Sequence, residues 1–247
     1  MTLTRTFKLV MAYEGTRYSG WQVQPGRETV QGWVIRAAEP LLGEGVRVTG
    51  ASRTDAGVHA LRQTVSIRSA RAVPADVVAR ALNAGLPRDI RVVACTEADV
   101  GFDARRAAVG KRYGYVIEDG PVPTPFLLRY AWHVPRPLDV ARMRRALVPL
   151  RGRHDFSALC AAAGRDHEPT CVIRTLHVVR RRERIAVFVS ANRFLHHMVR
   201  NIVGSVVEVG RGARPPEWLA DVLASRDRRR AGPTAPAQGL TLIRVLY

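Results

Sequence analysis

The chain has 247 residues, 47% of them hydrophobic, with 39 Lys and Arg against 21 Asp and Glu and a formal net charge of +18. That apolar content excludes a disordered chain and supplies a core for one large domain or two small ones, while the charge points to a polyanionic partner, most commonly nucleic acid. No apolar run approaches the ~20 residues of a membrane span, and the first five residues lead into a strand pattern with no signal-peptide core, so the cytoplasm is the expected location.

Phe7, Leu9, Met11 and Tyr13 alternate with less apolar neighbours, the period of a strand, and turn formers fill Gly15 to Pro25. Thr29 offers a capping hydroxyl to a helix that carries Val30, Trp33, Val34, Ala37, Leu41 and Leu42 and stops at Gly43. Strands are predicted at Val46 to Ser52 and Gln63 to Arg68, a helix opened by Pro74 and Asp76, and a strand at Ile90 to Cys95. The first half therefore reads β-α-β-β-α-β.

The second half gives the same order. A strand through Tyr113 to Ile117 precedes a helix from Asp139 to Leu150, then strands at Cys171 to Val179 and Arg184 to Ser190. A long helix from about Phe194 to Val209 ends at Gly210, a shorter one follows Pro215-Pro216, and Leu240 to Leu246 closes as a strand. The expected fold is α+β: two split β-α-β (ferredoxin-like) units joined into a wide, mostly antiparallel sheet, with helices on one face and a basic RNA-binding cleft. The expected domains are 1–105, carrying the aspartate discussed next, and 106–247, completing the site.

Gly50-Ala51-Ser52-Arg53-Thr54-Asp55-Ala56-Gly57-Val58-His59-Ala60 spans a strand end and the connection to the next strand. A carboxylate attacks well only if ionised and held still, and a nearby guanidinium promotes both. Asp55 thus reads either as a nucleophile or as a loop-capping acid. Arg53 is close in sequence. Arg200 interrupts an apolar helix face and is either a snorkelling edge residue or a cation aimed into a cleft. Gly57 suits a positive backbone torsion, and His59 is more simply a packed residue than a base. Lys111-Arg112-Tyr113-Gly114-Tyr115 sets aromatics beside cations; Tyr113 either stacks on an extruded base or fills the core with Tyr115.

Other chemistries lack their marks: there is no Walker loop, no Gly-x-Gly-x-x-Gly after a strand, no Gly-x-Ser-x-Gly and no His-Glu-x-x-His. Cys95, Cys160 and Cys171 form no Cys-x-x-Cys pair, and His154, Cys160, His167 and Cys171 fit no standard zinc spacing, so neither a metal nor a disulfide framework is expected. A non-catalytic basic RNA-binding module or tRNA chaperone remains the alternative to an enzyme.

Several ordered segments carry a more specific likeness. They are Tyr13-Glu14-Gly15-Thr16 with Gly20-Trp21-Gln22, Thr29-Val30-Gln31, Arg53 to Ala60, Leu82-Asn83 with Leu86-Pro87, and Phe102-Asp103-Ala104-Arg105. Arg112-Tyr113, Asp155-Phe156, Phe194 to Asn201, and Ala235-Pro236 with Gly239-Leu240 follow. In these the chain resembles the tRNA pseudouridine synthase A family over nearly its full length. The resemblance implies cofactor-free isomerisation of uridine to pseudouridine at tRNA positions 38, 39 and 40, on the 3′ side of the anticodon stem and loop, by a homodimer of two-domain subunits. It also implies Asp55 as nucleophile, attacking the uracil ring or the ribose anomeric carbon. Tyr113 would stack on the base and take a proton, Arg200 would pair with the nucleophile, Leu240 would line the base pocket and Arg53 would hold the extruded nucleotide. Ser52 stands where the family more often has glycine, and Asp103 where it more often has histidine.

Overall fold

The computed structural model describes residues 5–161 and 168–247; the first four residues and His167 lie outside the described residues. The architecture is α+β, with ten strands and five α-helices among the described residues. Contacts divide it into two compact units, Met1–Val109 with Leu242–Tyr247, and Gly110–Thr241.

The first unit holds β1 (Arg5–Tyr13), α1 (Val30–Leu42), β2 (Arg47–Gly50), β3 (His59–Ser69), α2 (Ala75–Gly85) and β4 (Ile90–Ala98). β1 lies between β3 and β4, antiparallel to both, and β2 runs antiparallel along the other edge of β3. Phe7 faces Ile67, Leu9 faces Val65 and Met11 faces Gln63 across the β1–β3 ladder. This row is fully buried, as alternation requires where one sheet face meets a core. α1 and α2 pack on each other and against β2 and β4. The Thr29 side chain accepts from Gly32 N–H at the start of α1, and Gly43 ends that helix at φ +101°.

The second unit holds β5 (Gly110–Asp119), β6 (Trp132–Val134), α3 (Val140–Leu147), β7 (Gly152–Asp155), β8 (Thr170–Arg181), β9 (Arg184–Ala191), α4 (Met198–Gly210) and α5 (Trp218–Ser225). Its strands are ordered β5-β9-β8-β7, antiparallel throughout, with the short β6 parallel to β5. α4 is buried around nearly its whole circumference, the mark of a core helix. The Asp119 carboxylate, with no exposed side-chain surface, accepts from Leu138 N–H at 2.8 Å and from both Arg180 Nη atoms, so β5, β8 and the entry to α3 meet at one ion pair. β10 (Leu240–Leu246) starts in the second unit, and its later residues belong to the first, beside β3. Among the described residues no helix is long and apolar enough to cross a membrane.

Four elements, α4, β3, β6 and β7, depart from the sequence expectations. The helix predicted from about Phe194 begins at Met198. His197 sits in the left-handed region at φ 60°, which breaks helical geometry for the residues before it. The strand predicted from Gln63 begins at His59, because Ala60 already pairs with Tyr13 beyond a bulge. The three-residue β6 and four-residue β7 were not predicted; neither is long enough to show a period.

Candidate active site

Asp55 lies half-buried on the connection between β2 and β3, with Arg53 exposed beside it. Val58 N–H donates to Asp55 O at 3.2 Å and Gly57 has φ +76°. The aspartate thus opens a four-residue turn whose third position demands a positive torsion, the conformation glycine adopts without steric cost. The turn is fastened from several sides. Trp21 N–H donates to Thr54 O at 3.0 Å, and Gly57 N–H donates to Tyr18 O at 3.3 Å. The Tyr13 and Thr54 hydroxyls share a hydrogen bond of 2.8 Å.

Two glycines make that closeness possible. A Cβ on Gly50 would lie 2.4 Å from the indole of Trp21, a residue 1% exposed whose ring centroid is 6.1 Å from that of Tyr13. A Cβ on Gly15 would lie 2.0 Å from Val58 O. His59 is 4% exposed and its Nδ1 accepts from Gly15 N–H at 3.0 Å. It is a packed residue that pins the Gly15 loop to the start of β3.

The other named residues lie in the second unit. Tyr113, on β5, is 5% exposed and meets Phe194 edge-on, with centroids 5.1 Å apart and planes at 88°. Arg200, in the first turn of α4, is half-buried, and its Nε donates to Ala235 O at 2.7 Å. Ala235 N–H returns a bond to Arg200 O at 3.1 Å. Leu240 opens β10 and is buried.

A strap over residues 232–239 holds this part together; the family segments Ala235-Pro236 and Gly239-Leu240 fall on it, but no period showed its structural role. Gly204 on α4 lies so close to the strap that a Cβ there would fall 1.7 Å from Pro233 O, and Gly232 N–H donates to Ser205 Oγ at 2.9 Å. Asn201, fully buried, donates to Leu159 O and accepts from Thr234 Oγ1 at 2.7 Å and from Arg228 Nη2 at 3.1 Å. Tyr115, also fully buried, donates its hydroxyl to Pro236 O at 2.7 Å, and a Cβ on Gly239 would fall 2.5 Å from its ring. Burial raises the pKa of the Tyr115 phenol, and the Arg200 charge opposes that only in part, so Tyr115 stays a neutral donor. The strap sets both the root of the Arg200 side chain and the start of β10.

Gln63 is a second residue that sequence reasoning passed over. It sits on β3 in the inward row with Val65 and Ile67 and has no exposed surface. Its signal was a polar residue at a core position of an otherwise regular alternation. Asp103, the other family departure, accepts from Arg105 N–H and Arg106 N–H at 2.9 Å each and so caps a turn.

The family model described as tRNA pseudouridine synthase matches residues 9–105 and 146–247. Relatives named tRNA pseudouridine synthase A align along almost the whole chain. One from Myxococcus xanthus is 46% identical, covering 97% of this chain and 91% of the relative. Others from Moorella thermoacetica, at 43% identity, and Brevibacillus brevis, at 42%, cover 97% and 98% of this chain and 98% and 100% of the relatives. The family model spans the turn that carries Asp55 and the helix and strap of Arg200, whereas the strand of Tyr113 lies in its unmatched stretch 106–145. Matches of this extent are beyond what a shared fold requires, and the chain belongs to the tRNA pseudouridine synthase A family, a family of isomerases acting on tRNA.

Proposed function

We propose that this chain converts uridine to pseudouridine at positions 38, 39 and 40 of the tRNA anticodon stem and loop, with the Asp55 carboxylate as nucleophile. The observation that carries the reading is the near full-length similarity to relatives named tRNA pseudouridine synthase A. The tight, glycine-dependent turn at Asp55 supports it, since a nucleophile works best when its direction is fixed before substrate arrives. The net charge of +18 suits a tRNA partner.

The reaction conserves every atom. Asp55 attacks the uracil ring or the ribose anomeric carbon, the N1–C1′ bond breaks, the base turns, C5 bonds to C1′, and the bond to the Asp55 oxygen breaks, which returns the free carboxylate. C5 then gives up its proton and N1 gains one, so no oxidant, reductant or group donor is consumed and no cofactor is called for. In this reading Tyr113 stacks on the base and receives the C5 proton, Arg200 pairs with the Asp55 carboxylate, Leu240 lines the base pocket, and Arg53 holds the extruded nucleotide. Residues 1–105 carry the nucleophile and 106–247 complete the site, as two split β-α-β units flanking a basic cleft. The β4-β1-β3-β2 pairing order of the first unit's strands supports that reading for the first half. The enzyme works in the cytoplasm as a homodimer.

The test is incubation with unmodified tRNA transcript and mapping of pseudouridine at nucleotide resolution. Product is expected at the three named positions with wild-type protein and none with Asp55→Ala, while that variant still binds tRNA. Turnover by Asp55→Ala would remove Asp55 from the nucleophile's role, and product confined to other positions would overturn the assignment of the anticodon arm.

A further inference from the structure

We infer that Gln63 and Tyr13 are positioning residues for the reaction: their hydrogen bonds tie the backbone and side chain of the two residues flanking Arg53 to the sheet and thereby aim Asp55. The inference rests on the reading of Asp55 as nucleophile.

A primary amide with no exposed surface, in a row shared with Val65 and Ile67, is a costly choice where leucine or methionine would pack, unless its bonds are made. Here they are made to the Asp55 connection. β2 ends at Gly50, and Ala51 N–H makes the last ladder-like bond, to Thr64 O at 2.8 Å. Ser52, still buried, has passed beyond that ladder. The Gln63 side chain takes the place of a neighbouring strand: Ser52 N–H donates to its Oε1 at 3.2 Å, and its Nε2 donates to Ser52 O at 2.6 Å. The backbone partners fix which end of the amide is which, since an N–H must meet oxygen and a C=O must meet nitrogen.

The second Nε2 hydrogen reaches the Tyr13 oxygen at 3.4 Å. Tyr13, accepting there, has its own O–H to give to Thr54 Oγ1 at 2.8 Å. A continuous chain therefore runs from Gln63 on β3 through Tyr13 on β1 to Thr54, the residue before Asp55. Tyr13 and Thr54 are 4% and 6% exposed, so water is a poor substitute for either partner. None of these groups is the reacting carboxylate. They determine where it points, and a displacement of about 1 Å at a reacting group can cost roughly 10²-fold in rate.

The test compares Tyr13→Phe, Thr54→Val, Thr54→Ser, the Tyr13→Phe/Thr54→Val double variant and Asp55→Ala, each as the full chain, on transcript carrying tritium at uracil C5. Single-turnover release of tritium reads the chemical step, tRNA binding is measured separately, and thermal unfolding reports stability. Tyr13→Phe and Thr54→Val are each expected to slow the single-turnover step by about 10- to 100-fold while tRNA affinity stays within about twofold, because they disturb aim and not contact. Thr54→Ser, which keeps the hydroxyl, should stay near the wild-type rate, and the double variant should be no slower than the slower single one, since one chain is cut twice. Lowered melting temperatures with wild-type rates in Tyr13→Phe and Thr54→Val would make the network merely structural and overturn the inference. If Tyr13→Phe fails to fold, the Thr54→Val and Thr54→Ser comparison decides alone. An inactive Asp55→Ala beside fully active Tyr13→Phe and Thr54→Val refutes only the positioning role, whereas an active Asp55→Ala refutes the nucleophile beneath it.

Discussion

Replacing Gly204 by alanine sets two physical effects of opposite sign against each other. In the interior of a helix, glycine to alanine ordinarily stabilises by about 1 kcal/mol. At Gly204 the new Cβ would fall 1.7 Å from Pro233 O, and ordinary contact begins near 3.4 Å, so the strap or α4 must move by well over an ångström. The obstacle is a backbone carbonyl and not the end of a pliable side chain. Movement of the strap endangers three hydrogen bonds, Ala235 N–H to Arg200 O, Arg200 Nε to Ala235 O and Gly232 N–H to Ser205 Oγ. At about 1 kcal/mol each, with overpacking of about 1 to 3 kcal/mol and the propensity gain subtracted, the net loss is about 3 to 5 kcal/mol. For a chain of this size 1 kcal/mol moves the melting temperature by about 2 to 4 °C, so scanning calorimetry should show a fall of about 6 to 20 °C. Gly101→Ala is the control, because a Cβ there meets nothing within 4 Å. A Gly204→Ala protein that melts at or above the wild-type temperature would refute the reasoning, since propensity would then have won.

Arg180→Met strips the buried Asp119 carboxylate of its ion-pair partner and should destabilise by about 3 to 5 kcal/mol; adding Asp119→Asn should recover part of that loss by removing the stranded charge, as urea titration of the single and double variants would show. Burial pushes the Cys95 and Cys171 thiols up to about 11. With a free thiol near 8.5, the thiolate fraction at pH 8 is about 200-fold smaller, so alkylation of these two cysteines in the folded protein should be slower by at least that factor, as mass spectrometry of labelled peptides would reveal. Between those two pKa values the unfolded chain binds fewer protons than the folded one, so their contribution to stability is complete below about pH 8.5 and declines from there toward pH 11. A stability that rises over that window on account of these thiols, judged against Cys→Ser variants, would contradict the shift.

The parts legible in the sequence were those governed by local chemistry. The Thr29 hydroxyl and Gly43 bracket α1 because a cap bond and a positive torsion are properties of a few adjacent residues. Gly57 likewise announced a turn at Asp55. What escaped notice depends on neighbours distant in sequence. The left-handed His197 shortens α4 although nothing in its residue type requires it. The strap over residues 232–239 has no period, and its role exists only because Gly204 and Gly239 give it room against α4 and the Tyr115 ring. Gln63 looked like an ordinary polar residue of a half-exposed strand until the register placed it opposite Met11 in the core. Asp55, Arg53, Arg200 and Tyr113 were candidates from residue type and neighbours, and motif likeness gave them their expected roles and added Leu240; the hydrogen bonds that hold the Asp55 turn could be read only from the fold.

The return of Leu242–Tyr247 to the first unit bears on how the protein is made. Leu246 O accepts from Val109 N–H, the Tyr247 hydroxyl donates to Ala104 O, and Lys8 Nζ sits 4.2 Å from the Tyr247 ring centroid. The unit that carries Asp55 is thus closed by residues synthesised only after all of Gly110–Thr241. At a translation rate of about 5 to 20 residues per second, the nascent first unit waits on the order of ten seconds for β10, and until then β2 covers only Val65–Arg68 on that side of β3. During that interval β3 offers unpaired backbone groups to unwanted partners, the hazard of any exposed strand edge. Speed of elongation through the middle of the message, and not only the stability of the finished fold, therefore bears on how much functional protein a cell obtains.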